Sequence, residues 1–202
     1  MKGAKKQENP NKIKTSSGIW KFHNYILTLL YESKKGDSMG LNIFMSKLDK
    51  RIVKLLAETP VFHELSKREL KKVKKIVHIN DYKADQIIFR KSDPGLGMHI
   101  ILEGSVEIIV KKDNKEAVVL AELGETNFFG DVSLLDESLR TADVIAREDT
   151  TLVELYRPDF LDILHTRPKT GVKMLHSLSK IIVQRLRRTN NELIELKKQV
   201  KK

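Results

Sequence analysis

The chain has 202 residues, 40% of them hydrophobic and 32% charged, with a formal net charge of +11 and no cysteine. That length supports one good core and an appendage rather than two large domains. Without cysteine there is no disulfide framework and no thiolate chemistry. No run of about 18 apolar residues is present to span a membrane, and the basic N-terminus lacks the apolar segment of a signal peptide, so a cytoplasmic location is expected.

The charge is unevenly divided. Residues 1–57 carry 12 Lys+Arg against 4 Asp+Glu (+8), residues 58–169 carry 17 against 21 (−4), and residues 170–202 carry 9 against 2 (+7). Basic ends can reach for nucleic acid or an anionic membrane surface. Here lysine dominates and no aromatic residues alternate with it near the C-terminus, which favours a solvated tail.

Residues 1–40 read as a basic N-terminal extension. Its first 17 residues have the polar, Lys/Asn-rich composition of disordered chain. A short helix is expected over 18–31, from Trp20, Phe22, Tyr25, Ile26, Leu29 and Leu30, followed by a linker over 32–40. The main domain is expected over 41–170. Ser46 is placed to cap a helix in which Leu48, Ile52, Leu55 and Leu56 fall at helical spacing. Ser66 opens a capping box with Glu69, followed by Leu70, Val73 and Val77 on one face.

After Asn80 the hydrophobic period changes from 3.6 to 2. Strand-like runs follow at Ile87–Phe89, Met98–Leu102, Val106–Val110, Ala117–Ala121, Ala142–Ala146 and Leu152–Tyr156. Turn signals separate them at Asp93-Pro94-Gly95, Gly104, Asp113-Asn114 and Gly124. Short strands with no helix between most of them predict an α+β, mainly β fold built on an antiparallel sandwich or barrel. Pro158 opens a short helix through Phe160, Leu161 and Leu164.

Residues 171–202 form the third part, a long helix. Val172, Leu175, Ser179, Ile182, Leu186, Thr189, Leu193, Leu196 and Val200 recur at steps of 3 and 4, the pattern of an a/d seam. Leu178 and Ile181 lie off that seam, so the first half of the helix has a second apolar face. A helix of about 45 Å, at 1.5 Å per residue, is long for a small β-domain to cover. A coiled-coil homodimer is therefore expected.

The segment Phe128-Phe129-Gly130-Asp131-Val132-Ser133-Leu134-Leu135 interrupts the strand pattern, and Arg140-Thr141-Ala142 restores it. A short helical turn between two strands offers N–H groups near Gly130 to Ser133 that attract an anion. Arg140 can add a bidentate contact to phosphate oxygens, and Thr141 a hydroxyl. Asp131 is suited to accept a ribose hydroxyl beside such a site. Two plainer roles stand beside these: Asp131 as a helix cap, and Arg140 as its ion-pair partner.

This segment resembles the phosphate-binding cassette of cyclic-nucleotide-binding domains, F-G-E-x-[AS]-L followed by R-[ST]-A; here the chain reads F-G-D-V-S-L-L-D-E-S-L-R-T-A. The upstream K-S-D-P-G-L-G-M-H-I-I-L-E-G-S-V resembles the strand pair of the same family, which includes the catabolite activator protein, kinase regulatory subunits and gated channels. The resemblance covers about residues 58–190. It implies an eight-stranded antiparallel β-roll, or jelly roll, flanked by N-terminal helices and a long C-terminal helix, with cyclic AMP or cyclic GMP held inside.

Matched by position, the resemblance implies that Arg140 holds the cyclic phosphate and that Gly130, Val132 and Ser133 line the cassette. Thr141 reaches the phosphate or a guanine edge, and Ala142 is the small residue after it. Asp131 replaces the family's glutamate, one methylene shorter towards the ribose. Ser92, Leu96 and His99 replace the usual Gly, Asp and Tyr.

No P-loop motif is present, and the six histidines include no metal-ligating pair, so no metal and no bound cofactor are expected. His99 reads as a structural residue. The chain ends after the long helix, where the family's transcription factors continue into a helix-turn-helix. The expectation is a stand-alone, non-enzymatic sensor whose output passes through an unidentified protein effector or its own dimer. A relative that has lost its ligand and serves as a scaffold for dimerisation or protein interaction is the alternative. Nucleic-acid binding ranks lowest, because no reading helix is recognisable.

Overall fold

A computed structural model describes residues 38–111 and 117–200. The expected helix over 18–31, most of the linker and the Asp113-Asn114 turn lie outside the described residues. Helix α1 spans Ser38–Glu58, so Ser46 sits inside a helix rather than at its start, and the end of the expected linker, 38–40, is helical. Once Leu48, Ile52 and Leu56 anchor the helix in the core, each added turn costs only propagation, not nucleation. A 3-10 turn follows at Pro60–Phe62. Helix α2, Lys67–Val73, starts at the capping box: Ser66 accepts from the Glu69 amide, and Glu69 accepts from the Ser66 amide. It stops at Val73, so Val77 lies beyond the helix, in the turn before the first strand.

Eight strands follow: β1 His78–Tyr82, β2 Ile87–Phe89, β3 Gly97–Glu103, β4 Val106–Lys111, β5 Ala117–Leu123, β6 Phe128–Phe129, β7 Asp143–Ala146 and β8 Thr150–Tyr156. They form two four-stranded antiparallel sheets of order β1-β8-β3-β6 and β2-β7-β4-β5, the β-roll that the family resemblance implies. Two strands escaped the sequence reading. β1 is polar, and β6 has two residues within the cassette. The alternation expected along Val106, Ile108 and Val110 breaks at a bulge between Ile108 and Ile109, which turns Ile109 into the buried side.

β3 and β8 are buried on both faces. Met98, Ile100, Val153 and Leu155 face a helical layer that includes Ile52, Phe62, Phe160 and Met174. Ile101 and Leu152 face the roll interior with Val106, Phe129 and Val144. His99 and Glu154 share that inward side, which places two ionisable groups between strands inside the roll.

Helix α3, Arg157–Thr166, has Pro158 in its first turn and buries Phe160 and Ile163. Helix α4, Pro168–Val200, packs against α3 and the 3-10 turn at Pro60–Phe62 through Met174, Leu178 and Ile181. Lys173 reaches Glu69 (2.9 Å), and His176 and Lys180 reach Glu64. The first half of α4 thus lies along its own domain, using the face off the seam. From Val183 onward every described residue of α4 is exposed, including Leu186, Leu193 and Leu196. Among the described residues no helix is long and apolar enough to cross a membrane.

Candidate functional site

Between β6 and β7 the chain makes a 3-10 turn over Asp131–Leu134, entered through Gly130 in the left-handed region at φ 72°. A Cβ at Gly130 would stand 2.5 Å from Arg140 Nη1 and 3.0 Å from Gly97 O. Glycine is required there both by conformation and by space. The turn uses the Ser133 amide internally, donating to Gly130 O at 3.1 Å, so that amide is not one of the free donors the sequence suggested.

The turn, β2, β4, β7 and the residues before β7 enclose a cavity of about 240 Å³. Gly130, Asp131, Val132, Ser133, Arg140, Thr141 and Ala142 all line it. Phe89, Ile108, Phe129 and Val144 supply apolar wall, and Arg185 of α4 completes the lining. Thr141 is exposed and Ala142 buried.

Arg140 is 7% exposed and lies along the inner wall. Its Nη1 donates to Ser133 Oγ at 2.9 Å and its Nη2 to Gly97 O at 2.9 Å. Nη2 is also 3.2 Å from His99 Nε2, and the guanidinium carbon sits 4.1 Å over the Phe89 ring. Burial pushes the Arg140 guanidinium down from its ordinary range, while Glu154 and Asp93 oppose that shift. Its Nε is buried and has no hydrogen-bond partner. A buried N–H without an acceptor costs the group its desolvation, about 1–3 kcal/mol, and more when charged.

Asp131 is also buried, but it is neither a cap nor the partner of Arg140. The turn has no side-chain cap, and Gly130 occupies the N-cap position. Both Asp131 oxygens instead accept from Arg185 Nη1, at 2.7 and 2.9 Å. The Arg185 guanidinium leans over the Phe128 ring, 5.4 Å from its centroid. The carboxylate is 3% exposed while Arg185 is 50% exposed, so one partner of this pair belongs to the roll and the other comes from outside it.

Behind Arg140 runs a second polar group that the sequence did not reveal. His99 is buried, stacked on Phe129 with ring centroids 5.0 Å apart. Its Nδ1 lies 3.2 Å from Glu154 Oε1, out of line for a good hydrogen bond. Glu154 accepts from Tyr82 OH (2.9 Å), Tyr156 OH (2.5 Å) and Asn80 Nδ2 (2.8 Å). Burial pushes the Glu154 carboxyl up, but His99, Tyr156 and Asn80 outweigh it and hold the group at about 2. Burial pushes His99 below its ordinary range, Arg140 adds to that, and Glu154 opposes it. Burial, with Glu154 adding to it, pushes the Tyr156 hydroxyl up to about 12. Among the departures from the family pattern, Ser92 has φ 72°, the left-handed conformation in which glycine is usual.

One sequence signal for Arg185 existed. Leu178, Ile181 and Arg185 are spaced i, i+3, i+7, so Arg185 continues the buried face of α4 rather than the seam. His99 offered no local signal, since it meets Arg140 across 41 positions.

Comparison with known proteins places the fold and the cavity in context. Residues 79–167 match the family model described as the cyclic nucleotide-binding domain. The chain is 31% identical over 135 residues to the "Cyclic AMP receptor protein" of Thermus thermophilus, covering 67% of this chain and 61% of that relative. The crystal structure of the Thermus thermophilus catabolite activator protein is similar at 31% identity and TM-score 0.63, over 69% of this chain and 63% of that one. A cyclic nucleotide-binding domain from Methylobacillus flagellatus shares the fold at TM-score 0.64 and 24% identity, over 73% and 83% of the two chains. The chain thus spans about three fifths of the curated relatives' length.

Proposed function

Residues 79–167 belong to the cyclic nucleotide-binding domain family, and from that premise we propose that the protein is a non-enzymatic, cytoplasmic sensor of cyclic AMP or cyclic GMP. Arg140 holds the cyclic phosphate, with Gly130, Val132 and Ser133 forming the cassette around it. Thr141 offers a hydroxyl to the phosphate or to a guanine edge, and Ala142 leaves room beside it. Asp131 accepts from the ribose hydroxyl. The observation that carries this reading is the cavity itself: all seven residues line it, and among them Arg140 is a buried cation. A phosphate beside the guanidinium makes a charge-assisted contact with it.

The sensor acts as a homodimer through the seam of α4 and signals to a protein effector. Leu186, Leu193 and Leu196 are exposed, and burying them against a second copy removes apolar surface at about 25 cal/mol per Å². A ligand-free scaffold is the second reading, and the Arg185 contact on Asp131 supports it, because the ribose acceptor already has a partner. Calorimetric titration of cyclic AMP and cyclic GMP into the full chain separates the two. Saturable binding of either is expected, and binding of neither would sink the sensor reading.

A further inference from the structure

We propose that His99 is the positioning residue for Arg140: a neutral imidazole whose bare Nε2 accepts from the guanidinium and fixes where that cation stands in the cavity lining. The inference rests on the sensor reading for its ligand, but not for its geometry.

Arg140 has only donors, so a ring nitrogen 3.2 Å from its Nη2 must be an acceptor. That assigns the ring proton to Nδ1, the nitrogen facing Glu154 Oε1 at 3.2 Å. The charged groups around the ring agree with this tautomer. Arg140 opposes a second cation at Nε2, and Glu154 favours a proton at Nδ1. The other ring neighbours are the apolar Phe129 and Phe89. Glu154 itself is held by Tyr82, Tyr156 and Asn80 from β1 and β8, so the carboxylate stays beside Nδ1, and turning the imidazole would break its Nε2 contact with Arg140.

The consequence lies at the guanidinium. Nη1 is committed to Ser133 Oγ and Nη2 to Gly97 O and His99 Nε2, with the plane resting on Phe89. A fork bound on its two terminal nitrogens over an aromatic ring is fixed in both place and tilt. The histidine thereby holds the cation in place before an anion arrives, which lowers the ordering cost of binding.

Two substitutions and one spectrum test this in the full chain. His99→Phe keeps a flat ring against Phe129 but removes the acceptor. His99→Gln restores a carbonyl acceptor near the position of Nε2. Loss of the pre-ordering predicts cyclic nucleotide affinity about two- to tenfold weaker for His99→Phe, with His99→Gln recovering most of the loss. Equal affinity of His99→Phe and wild type would overturn the proposal, as would equal weakness of both variants at unchanged melting temperature. Nitrogen-15 NMR of the ligand-free wild type supplies an arm that needs no nucleotide and no variant. A bare Nε2 and a protonated Nδ1 are expected at neutral pH. A proton on Nε2 would overturn the positioning role even if the nucleotide binds, whereas a bare Nε2 in a protein that binds neither nucleotide would sink the sensor reading alone.

Discussion

The two charged side chains buried at the cavity are held in opposite ways. Arg140 is fixed from within the roll, by Gly97 O on β3, Ser133 of the turn and His99. Asp131 is held from without, by a half-exposed arginine on α4. The arginine side of the cavity is therefore built by the β-roll alone, while the aspartate side depends on where the helix lies. Any ligand that uses both sides reads the roll and the helix together, which is the coupling a sensor needs. The contrast predicts where substitutions act: on the arginine side they should change affinity, and on the aspartate side the link between affinity and helix position.

The largest effect is expected at Arg140. Arg140→Ala removes the orphaned Nε and the other donors together, and cyclic nucleotide binding should weaken by about 1.5–3 kcal/mol, the range for hydrogen bonds to charged groups. Calorimetry of the variant reads this directly. A variant that binds as tightly as wild type, while still folded, would remove Arg140 from the site.

The support behind Arg140 makes a prediction in pH. The Glu154 carboxyl is depressed from 4.5 to about 2 in the folded protein. A depressed carboxyl contributes stability that is fully present above its unfolded value and is lost as pH falls through its folded value. Glu154 should therefore stabilise the roll at neutral pH and progressively less between pH 4.5 and 2. Glu154→Gln should melt at a lower temperature than wild type at pH 7, and the gap should narrow towards the acid end. A gap that stays constant with pH would mean that the carboxylate charge is not what the tyrosines and Asn80 stabilise.

These two predictions concern residues of unequal visibility. The cassette is contiguous from Phe128 to Ala142, so its residue types and spacing could be read in order. The turn that joins them is local. The runs at β3 and β8 were readable because strands buried on both faces are apolar almost throughout. β1 was not, since His78, Asn80 and Asp81 break the pattern. Asn80 lies in this strand because it binds Glu154, a partner 74 positions away. His99 was hidden for the same reason, and the spacing of Arg185 marked its helix face but not its partner: each acts on a group that only the closed roll or the packed helix brings near. The helix seam was legible as a pattern, but pattern alone did not separate the face that packs on the domain from the one left open.

On the aspartate side the expected effects are smaller and run in two directions. Arg185→Ala leaves the buried Asp131 without its cation, so the ligand-free protein should lose stability, by about 1 kcal/mol given the exposure of the arginine. The same change frees the carboxylate for a ribose hydroxyl, so the rise in melting temperature on adding nucleotide should exceed that of wild type. Asp131→Glu, which extends the carboxylate by one methylene, should tighten nucleotide binding. If Arg185→Ala and Asp131→Glu both leave nucleotide response unchanged, Asp131 has no part in the ribose contact and the helix is not coupled to the site through it.

The smallest effect on the folded monomer is expected from the open half of α4. Leu186 and Leu193 are 58% and 48% exposed, and substitutions at such positions change stability within about 0.5 kcal/mol. A Leu186→Asp, Leu193→Asp double variant should therefore melt close to wild type, because the packed half of α4, from Thr170 to Ile181, is untouched. Self-association is a different matter, since two aspartates on the seam would face two more across a parallel dimer. Sedimentation should show a wild-type dimer and a monomeric variant. The helix also carries Arg185, Arg187, Arg188, Lys197 and Lys198 against Glu192 and Glu195. Paired helices of this kind repel, so added salt should strengthen the wild-type dimer by screening that repulsion. A wild type that stays monomeric at tens of micromolar in low and high salt alike would sink the dimer. It would leave α4 with its domain-packed half and Arg185 as its functional part, and the same double variant would then be silent in every assay, nucleotide titration included.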